Sequence, residues 1–330
     1  MNVSVQDAAA ASPRIAVVGA GTMGALHARV VSTSPRAVLA GVVDPAEAGA
    51  QVAQRWSVPH AHDLDDLADV DAVVLAAPTA LHRALALRVL ESGLPLLVEK
   101  PVCPDLDDAI VVLDAAERAG VPFMCGLLER FNPAVMTTLA LLEEPVHLTA
   151  VRHSPYAPRI TTGVGWDLLV HDVDLAVRCF GAEPERVSAE VGHFHPKSLV
   201  DAEDVVEAVL AFSGGRVATA SASRIGQRKV RTVTIAEVHR LLEIDLLRND
   251  VTIHRHVSND LGADGRGYRQ QSVIEIPALV STAEPLAAQL DHFLDLINGV
   301  VDIDEERRSV LPAHRIVARA LTGTDLRSTV

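Results

Sequence analysis

Residues 15–24 read Ile15-Ala16-Val17-Val18-Gly19-Ala20-Gly21-Thr22-Met23-Gly24. Ile15–Val18 is apolar without alternation, the pattern of a strand buried on both faces. It runs into G-x-G-x-x-G and then into the helical stretch Thr22–Ser32. In that setting Gly19 permits a tight turn, Gly21 lets backbone approach a pyrophosphate, and Gly24 lets helix and strand pack closely. The helix N-terminus then offers free N–H groups and its positive dipole end to the phosphates. Asp44 closes the next strand, twenty residues after Gly24. A carboxylate there can accept from both adenine-ribose hydroxyls and would repel a 2′-phosphate. Pro45 and Ala46 follow it rather than an arginine, which favours NAD over NADP.

Outward from this stretch, the first half alternates apolar runs with amphipathic ones. Val38–Val43, Ala72–Ala76, Leu94–Val98 and Pro122–Gly126 read as strands; Ala46–Arg55, Leu81–Glu91 and Leu106–Ala119 read as helices. This is a doubly wound parallel sheet, the Rossmann arrangement. After about residue 127 the texture changes. Val146–Arg152, Arg186–Val191, Val205–Phe212, Val217–Ser223, Val230–Ala236, Leu241–Asp245 and Val251–Arg255 alternate partially and meet at turns such as Ser213-Gly214-Gly215, predicting a mostly antiparallel sheet. A helix at Trp166–Phe180 interrupts its start, and helical patterns return at Pro285–Asn298 and near Ala313–Leu321. The expected fold is therefore α/β: a Rossmann domain over residues 13–127 and an α+β domain over 128–330, with residues 1–12 an Ala-rich disordered leader. The C-terminal helices are placed where they can pack back on the Rossmann domain.

The chain of 330 residues is 49% hydrophobic and 22% charged, a globular composition. No apolar run is long enough to span a bilayer, and the leader lacks the basic and apolar regions of an export signal. A cytoplasmic protein without a membrane partner is expected. A net charge of -14 argues against a nucleic-acid partner. Cys103, Cys125 and Cys179 form no CxxC pair and read as reduced thiols. His153, His193, His195, His254 and His256 invite a metal reading, and His193 with His195, and His254 with His256, share strand faces; no third ligand stands at a metal-binding spacing, so no metal is expected.

Lysine is scarce: only Lys100, Lys197 and Lys229 occur among 29 basic residues. Lys100 lies in Glu99-Lys100-Pro101, at the carboxyl end of a parallel strand, where open α/β sheets bind ligands. It is either a solvated surface charge or a donor that stabilises an alkoxide beside a nicotinamide. Asp167 and His171 are four apart and share a helix face. That pair either stabilises the helix or forms a base whose imidazole the carboxylate orients and makes more basic.

Taken together, Gly19–Gly24, Pro78-Thr79-Ala80-Leu81-His82, Glu99-Lys100-Pro101, and Asp167 with His171 resemble the Gfo/Idh/MocA family of oxidoreductases, in order and spacing, from Arg14 onward. The resemblance implies His171 as proton acceptor, Lys100 as alkoxide stabiliser and Asp167 as orienting or substrate-binding group. It implies a cofactor site of Gly19, Gly21, Thr22, Met23, Gly24, Asp44, Ala77, Pro78, Thr79, His82, Glu99 and Lys100. It also implies a large open second sheet that builds homodimers or homotetramers. Glu129-Arg130-Phe131-Asn132-Pro133 and the stretch Arg159–Asp174 are similar, more narrowly, to the branch containing UDP-N-acetylglucosamine 3-dehydrogenases. That branch oxidises a pyranose alcohol to a 3-keto sugar. Trp166 departs from the smaller apolar residue common among relatives. Other members act on antibiotic sugars, including aminoglycoside 3″-hydroxyls, or on cyclitols such as inositol. The acidic charge suits a cationic substrate as readily as it disfavours a diphosphate.

Several residues keep two readings. Arg130 and Asn132 either meet substrate or tie the domains. Tyr156, Arg159 and Trp166, on a loop entering the second half, either contact substrate or anchor that loop. Asp172 and Asp174 read as helix-surface groups or as groups behind the site. A non-catalytic NAD-binding regulator on this fold would be expected to lose Lys100 or the Asp167–His171 pair; all three are present, which favours an enzyme.

Overall fold

The computed structural model describes residues 12–260 and 268–323. The leader expected at residues 1–12 lies outside the described residues except for Ser12. In chain order the elements begin with β1 (Arg14–Val18), α1 (Thr22–Thr33), β2 (Val38–Val43), α2 (Glu47–Trp56), β3 (His60–Ala61), β4 (Ala72–Leu75), α3 (His82–Glu91), β5 (Leu96–Val98), α4 (Leu106–Ala119) and β6 (Phe123–Cys125). They continue with α5 (Pro133–Leu141), β7 (His147–His153), a π-helical turn (Gly165–Leu169), α6 (Val170–Phe180), β8 (Arg186–Gly192), β9 (Val205–Ala211), β10 (Val217–Ser223), β11 (Val230–Glu237), β12 (Arg240–Asp245), β13 (Asp250–Asp260) and β14 (Tyr268–Glu275). Helices α7 (Pro285–Ile297), α8 (Ile303–Arg308) and α9 (Leu311–Thr322) follow.

The chain divides into two compact units. The first holds residues 12–99, 112–124 and 290–306. Its parallel sheet has the order β3-β2-β1-β4-β5-β6, the doubly wound arrangement expected. Ile15, Ala16 and Val17 of β1, and all of β4, are completely buried, as unalternated apolar strands require. Strand order reverses between β1 and β4, so the loops leaving their carboxyl ends, at Gly19 and at Ala76–Pro78, frame the switch-point crevice. Residues 290–306 join this unit, and Arg36 pairs with Asp291 at 3.2 Å and with Asp295 at 2.6 Å.

The second unit holds residues 100–111, 125–289 and 307–323. Its eight-stranded sheet has the order β14-β13-β12-β11-β7-β10-β9-β8. Among the described residues β7 and β10 pair in parallel, and the other six ladders of this sheet are antiparallel. One face carries Leu148, Ala150, Val206, Leu210, Val233 and Ile235, all buried. The other carries Thr149, Glu207, Val209, Thr219 and Ser221, with Thr219 bonded to Thr149 and Ser221 to both His153 and Glu207.

Four elements escaped the sequence reading: β3, α5, β14 and α8. Strand β3 has two residues. Helix α5 is apolar nearly all round and lacks an amphipathic stripe; it starts because Asn132 Oδ1 accepts from the Ala134 N–H at 2.9 Å and Pro133 opens the first turn. Strand β14 is mostly polar, as suits an edge. The helix expected at Trp166–Phe180 exists, but its first turn is π-helical: the Val170 N–H reaches back to the Gly165 carbonyl. Among the described residues no helix is long and apolar enough to cross a membrane.

Candidate active site

In the first unit the glycines behave as their spacing demands. Gly19 has φ +94°, and a Cβ there would lie 2.6 Å from the Ala76 and Ala77 backbone. A Cβ on Gly24 would lie 1.8 Å from the Gly19 carbonyl oxygen. Gly21, at the N-cap of α1, has nothing within 4 Å of its Cβ direction, and no side chain caps the helix. The start of α1 is thus an open, donor-rich cradle that fits a pyrophosphate. Thr22 and Met23, in its first turn, are exposed and half-buried.

Asp44 Oδ2 accepts from the Ala20 N–H at 2.7 Å, and Oδ1 accepts from the Ala46 N–H at 2.8 Å. Its carboxylate ties the glycine loop to the start of α2 and keeps further lone pairs for hydroxyl donors. A cavity of about 360 Å³ opens beside it, between Val18, Val43, Leu81 and Val89. Ala77 and Pro78 line its rim, with Thr79 opening the short helical turn that follows, and His82 pins this loop through a 2.8 Å bond from its ring to the Ala77 carbonyl. His82 is itself buried, so it shapes the loop from behind. Glu99, just past β5, is also buried and sits 2.7 Å from His27 Nε2 of α1. His27 was not singled out from sequence because a lone histidine inside an apolar helix carries no pattern.

In the second unit, Lys100 follows Glu99 directly in the chain. Its Nζ donates to Asp167 Oδ1 and to the Asp167 carbonyl, each at 2.7 Å. Asp167 lies in the π-helical turn, whose wider winding lets a main-chain carbonyl take a side-chain donor. His171 follows one turn later. It is 9% exposed, and its buried Nδ1 has no hydrogen-bond partner among the described residues. Burial holds the imidazole well below the ordinary histidine range, and the charges of Lys100, Arg152 and Arg231 push the same way. This corrects the expectation that Asp167 raises the basicity of His171. Asp167 serves Lys100 instead, and His171 is held as the neutral imidazole.

Glu203 builds the π-helical turn. Its carboxylate accepts from the Gly165 N–H at 2.6 Å and its carbonyl from the Val164 N–H at 3.0 Å. A Cβ on Gly163 would lie 1.9 Å from Glu203 Oε2, so a side chain there would have to displace that carboxylate. His314 anchors the other side. Its Nε2 accepts from the Val102 N–H at 3.2 Å, two residues past Lys100, while Nδ1 donates to the Val310 carbonyl at 3.0 Å. Neither residue was found from sequence, since both act across more than thirty positions.

Asp172 and Asp174 are not surface groups. Asp172 accepts from Arg152 at 2.8 to 3.0 Å, and Arg152 also donates to Glu129 at 2.8 Å. Asp174 accepts a fork from Arg130 at 2.6 and 2.9 Å, and Arg130 also reaches Ser309. Asn132 caps α5 and donates to the Leu246 carbonyl. Both Arg130 and Asn132 are buried and tied to neighbouring segments, the second of their two readings. Tyr156 donates to the Lys197 carbonyl at 2.8 Å and stacks on His195 with centroids 3.6 Å apart. Trp166 is buried against His314, a loop anchor, and Arg159 is exposed. Of the residues expected in the substrate site, the structure brings together Lys100, Asp167 and His171. Among the described residues no group of three metal-ligating side chains converges.

A dinucleotide cradle at the switch point and a Lys–Asp–His cluster on the following domain define an NAD-dependent oxidoreductase. Residues 13–127 match the family described as "Oxidoreductase family, NAD-binding Rossmann fold", and residues 142–237 match the "GFO/IDH/MocA C-terminal domain". The chain belongs to the Gfo/Idh/MocA family. It is 32% identical to UDP-N-acetylglucosamine 3-dehydrogenase of Acidithiobacillus ferrooxidans, over 86% of this chain and 88% of the relative. A solved structure of that name, GnnA, has a TM-score of 0.78 at 29% identity, covering 94% of this chain and 97% of that one. The chain is 30% identical to inositol 2-dehydrogenase of Rhizobium meliloti over 64% of this chain and 68% of the relative. GenD2 from gentamicin A biosynthesis, solved with NAD, shares the fold at a TM-score of 0.78 and 22% identity, covering 94% of this chain and 93% of that one.

Proposed function

We propose that the protein oxidises a secondary alcohol, the 3-hydroxyl of a pyranose carried by a UDP-N-acetylhexosamine, to the 3-keto sugar. The observation that carries an alcohol–ketone reaction is the Lys100 ammonium, held by two 2.7 Å bonds to Asp167, beside the unprotonated, unpartnered His171. The sugar nucleotide rests on the 32% relationship to a UDP-N-acetylglucosamine 3-dehydrogenase. NAD, when bound, accepts the hydride at the nicotinamide C4. Gly19–Gly24 and the α1 N-terminus hold its pyrophosphate, and Asp44 takes the adenosine ribose hydroxyls. His171 accepts the hydroxyl proton as the C–H bond gives up its hydride. Lys100 donates to the carbinol oxygen, stabilising the charge that develops there, and Asp167 aims the ammonium. In this reading residues 13–127 carry the cofactor, and 128–330 carry the base and, through the polar face of the second sheet, self-association.

The test is formation of reduced nicotinamide with a panel of UDP-sugars, inositols and aminoglycosides. UDP-N-acetylglucosamine should be oxidised with the highest kcat/KM, and NMR of the product should place the ketone at C3. Turnover of myo-inositol alone would favour the second reading, a cyclitol dehydrogenase, which the relationship to inositol 2-dehydrogenase supports. NAD binding with no alcohol oxidised would defeat both.

A further inference from the structure

Arg152 and Arg231 stand directly opposite each other in the β7–β11 ladder. Two like charges in register on one sheet face are unfavourable. The face is the one α6 covers, since Arg152 reaches Asp172 on that helix. The two arginines are compensated very unequally. Arg152 is buried and donates to Asp172 and, at 2.8 Å, to Glu129 Oε1. Arg231 has one long ion pair among the described residues, 3.6 Å from that same Glu129 Oε1. Its side chain is 36% exposed, against 2% for Arg152.

Desolvation and the neighbouring Arg152 hold Arg231 below the usual guanidinium range, and its charge reaches Asp167, Asp172 and His171. A planar fork of five donors is therefore partly desolvated, next to a like charge and within electrostatic reach of His171, with no carboxylate at hydrogen-bond distance among the described residues. Such a site favours an incoming anion with paired acceptor oxygens.

We propose that Arg231 is the docking point for an anionic group of the substrate, a phosphate or carboxylate carried by the molecule whose alcohol is oxidised. The inference rests on the dehydrogenase reading and deepens it by choosing among substrate classes. A diphosphate-linked sugar or a sugar acid gains from Arg231, a neutral cyclitol is indifferent to it, and a polycationic antibiotic sugar is repelled.

The test is calorimetric titration of wild type and Arg231→Gln, each saturated with NADH so that no alcohol is oxidised. The probes are UDP, glucuronate and myo-inositol. Either UDP or glucuronate should bind wild type, and which one does identifies the anion. In Arg231→Gln its affinity should fall by about tenfold or more, as expected for losing a charge-assisted fork. Rising salt should weaken anion binding in wild type and not in the variant. Thermal stability should not fall, because a like-charge pair has been relieved. The proposal is overturned if neither anion binds wild type, if the variant binds it equally well, or if the variant loses myo-inositol and several degrees of stability as well. The dehydrogenase reading fails separately, by wild type oxidising no alcohol on the panel.

Discussion

His171 and His314 are both buried histidines, and burial depresses both, with different consequences. His171 has a ring nitrogen without a partner among the described residues, and in the proposed mechanism it takes the hydroxyl proton. Because its neutral form is lost only below the ordinary histidine range, kcat/KM should stay level as pH falls from neutrality through that range and decline further down. A pH–rate profile with its acid limb at or above ordinary histidine values would contradict this. His314 is fully bonded and structural. Burial pushes it down to about 4, while the unfolded chain takes the proton near 6.5. The unfolded state therefore binds more protons between those values, and stability falls as pH drops across the window. The shift corresponds to about 3 kcal/mol at the acid end. Urea unfolding of wild type and His314→Gln across that window should show the slope in the former and a flatter one in the latter. Lys100→Ala and His171→Ala should each lose on the order of a hundredfold or more in kcat. Both should keep NAD affinity by fluorescence titration; full activity in either would remove it from the mechanism.

At the scale of elements, two glycine-dependent turns do different work. Gly19 and Gly24 are sterically compelled, whereas Gly21 faces open space. Gly21→Val should therefore fold with an unchanged Tm and lose NAD binding, while Gly19→Ala should lose both binding and stability. Equal thermal destabilisation by the two would mean that Gly21 is structural. The π-helical turn depends on Gly163 packing against Glu203. Gly163→Ala should cost roughly 2 kcal/mol by displacing that carboxylate. It should also lower kcat without a matching change in NAD affinity, since Asp167 aims Lys100 from inside the turn. The turn was not legible in the sequence: Asp167 and His171 have the same spacing in an α-helix, and winding is decided by Glu203, a residue distant in the chain. Helix α5 was missed for a related reason: it is apolar nearly all round, so no amphipathic stripe marks it.

For the whole molecule, the open face of the second sheet carries Val209, 47% exposed, amid Thr149, Glu207 and Thr219. If this face joins copies of the chain, Val209→Arg should shift the sedimenting species to a smaller one with the fold intact by circular dichroism. The glycine stretch and the apolar runs determined the fold class and NAD as cofactor, while Lys100, Asp167 and His171 were singled out as reactive residues through the family resemblance. These are matters of local pattern and short-range sterics, which a linear chain displays. Which atom each residue serves is another matter. Asp167 turned to Lys100 rather than His171, Arg130 and Asn132 became buried ties, and Arg231 came to stand opposite Arg152. Only the tertiary structure decided these, because hydrogen-bond partnership and desolvation depend on distances that close between elements far apart in the chain.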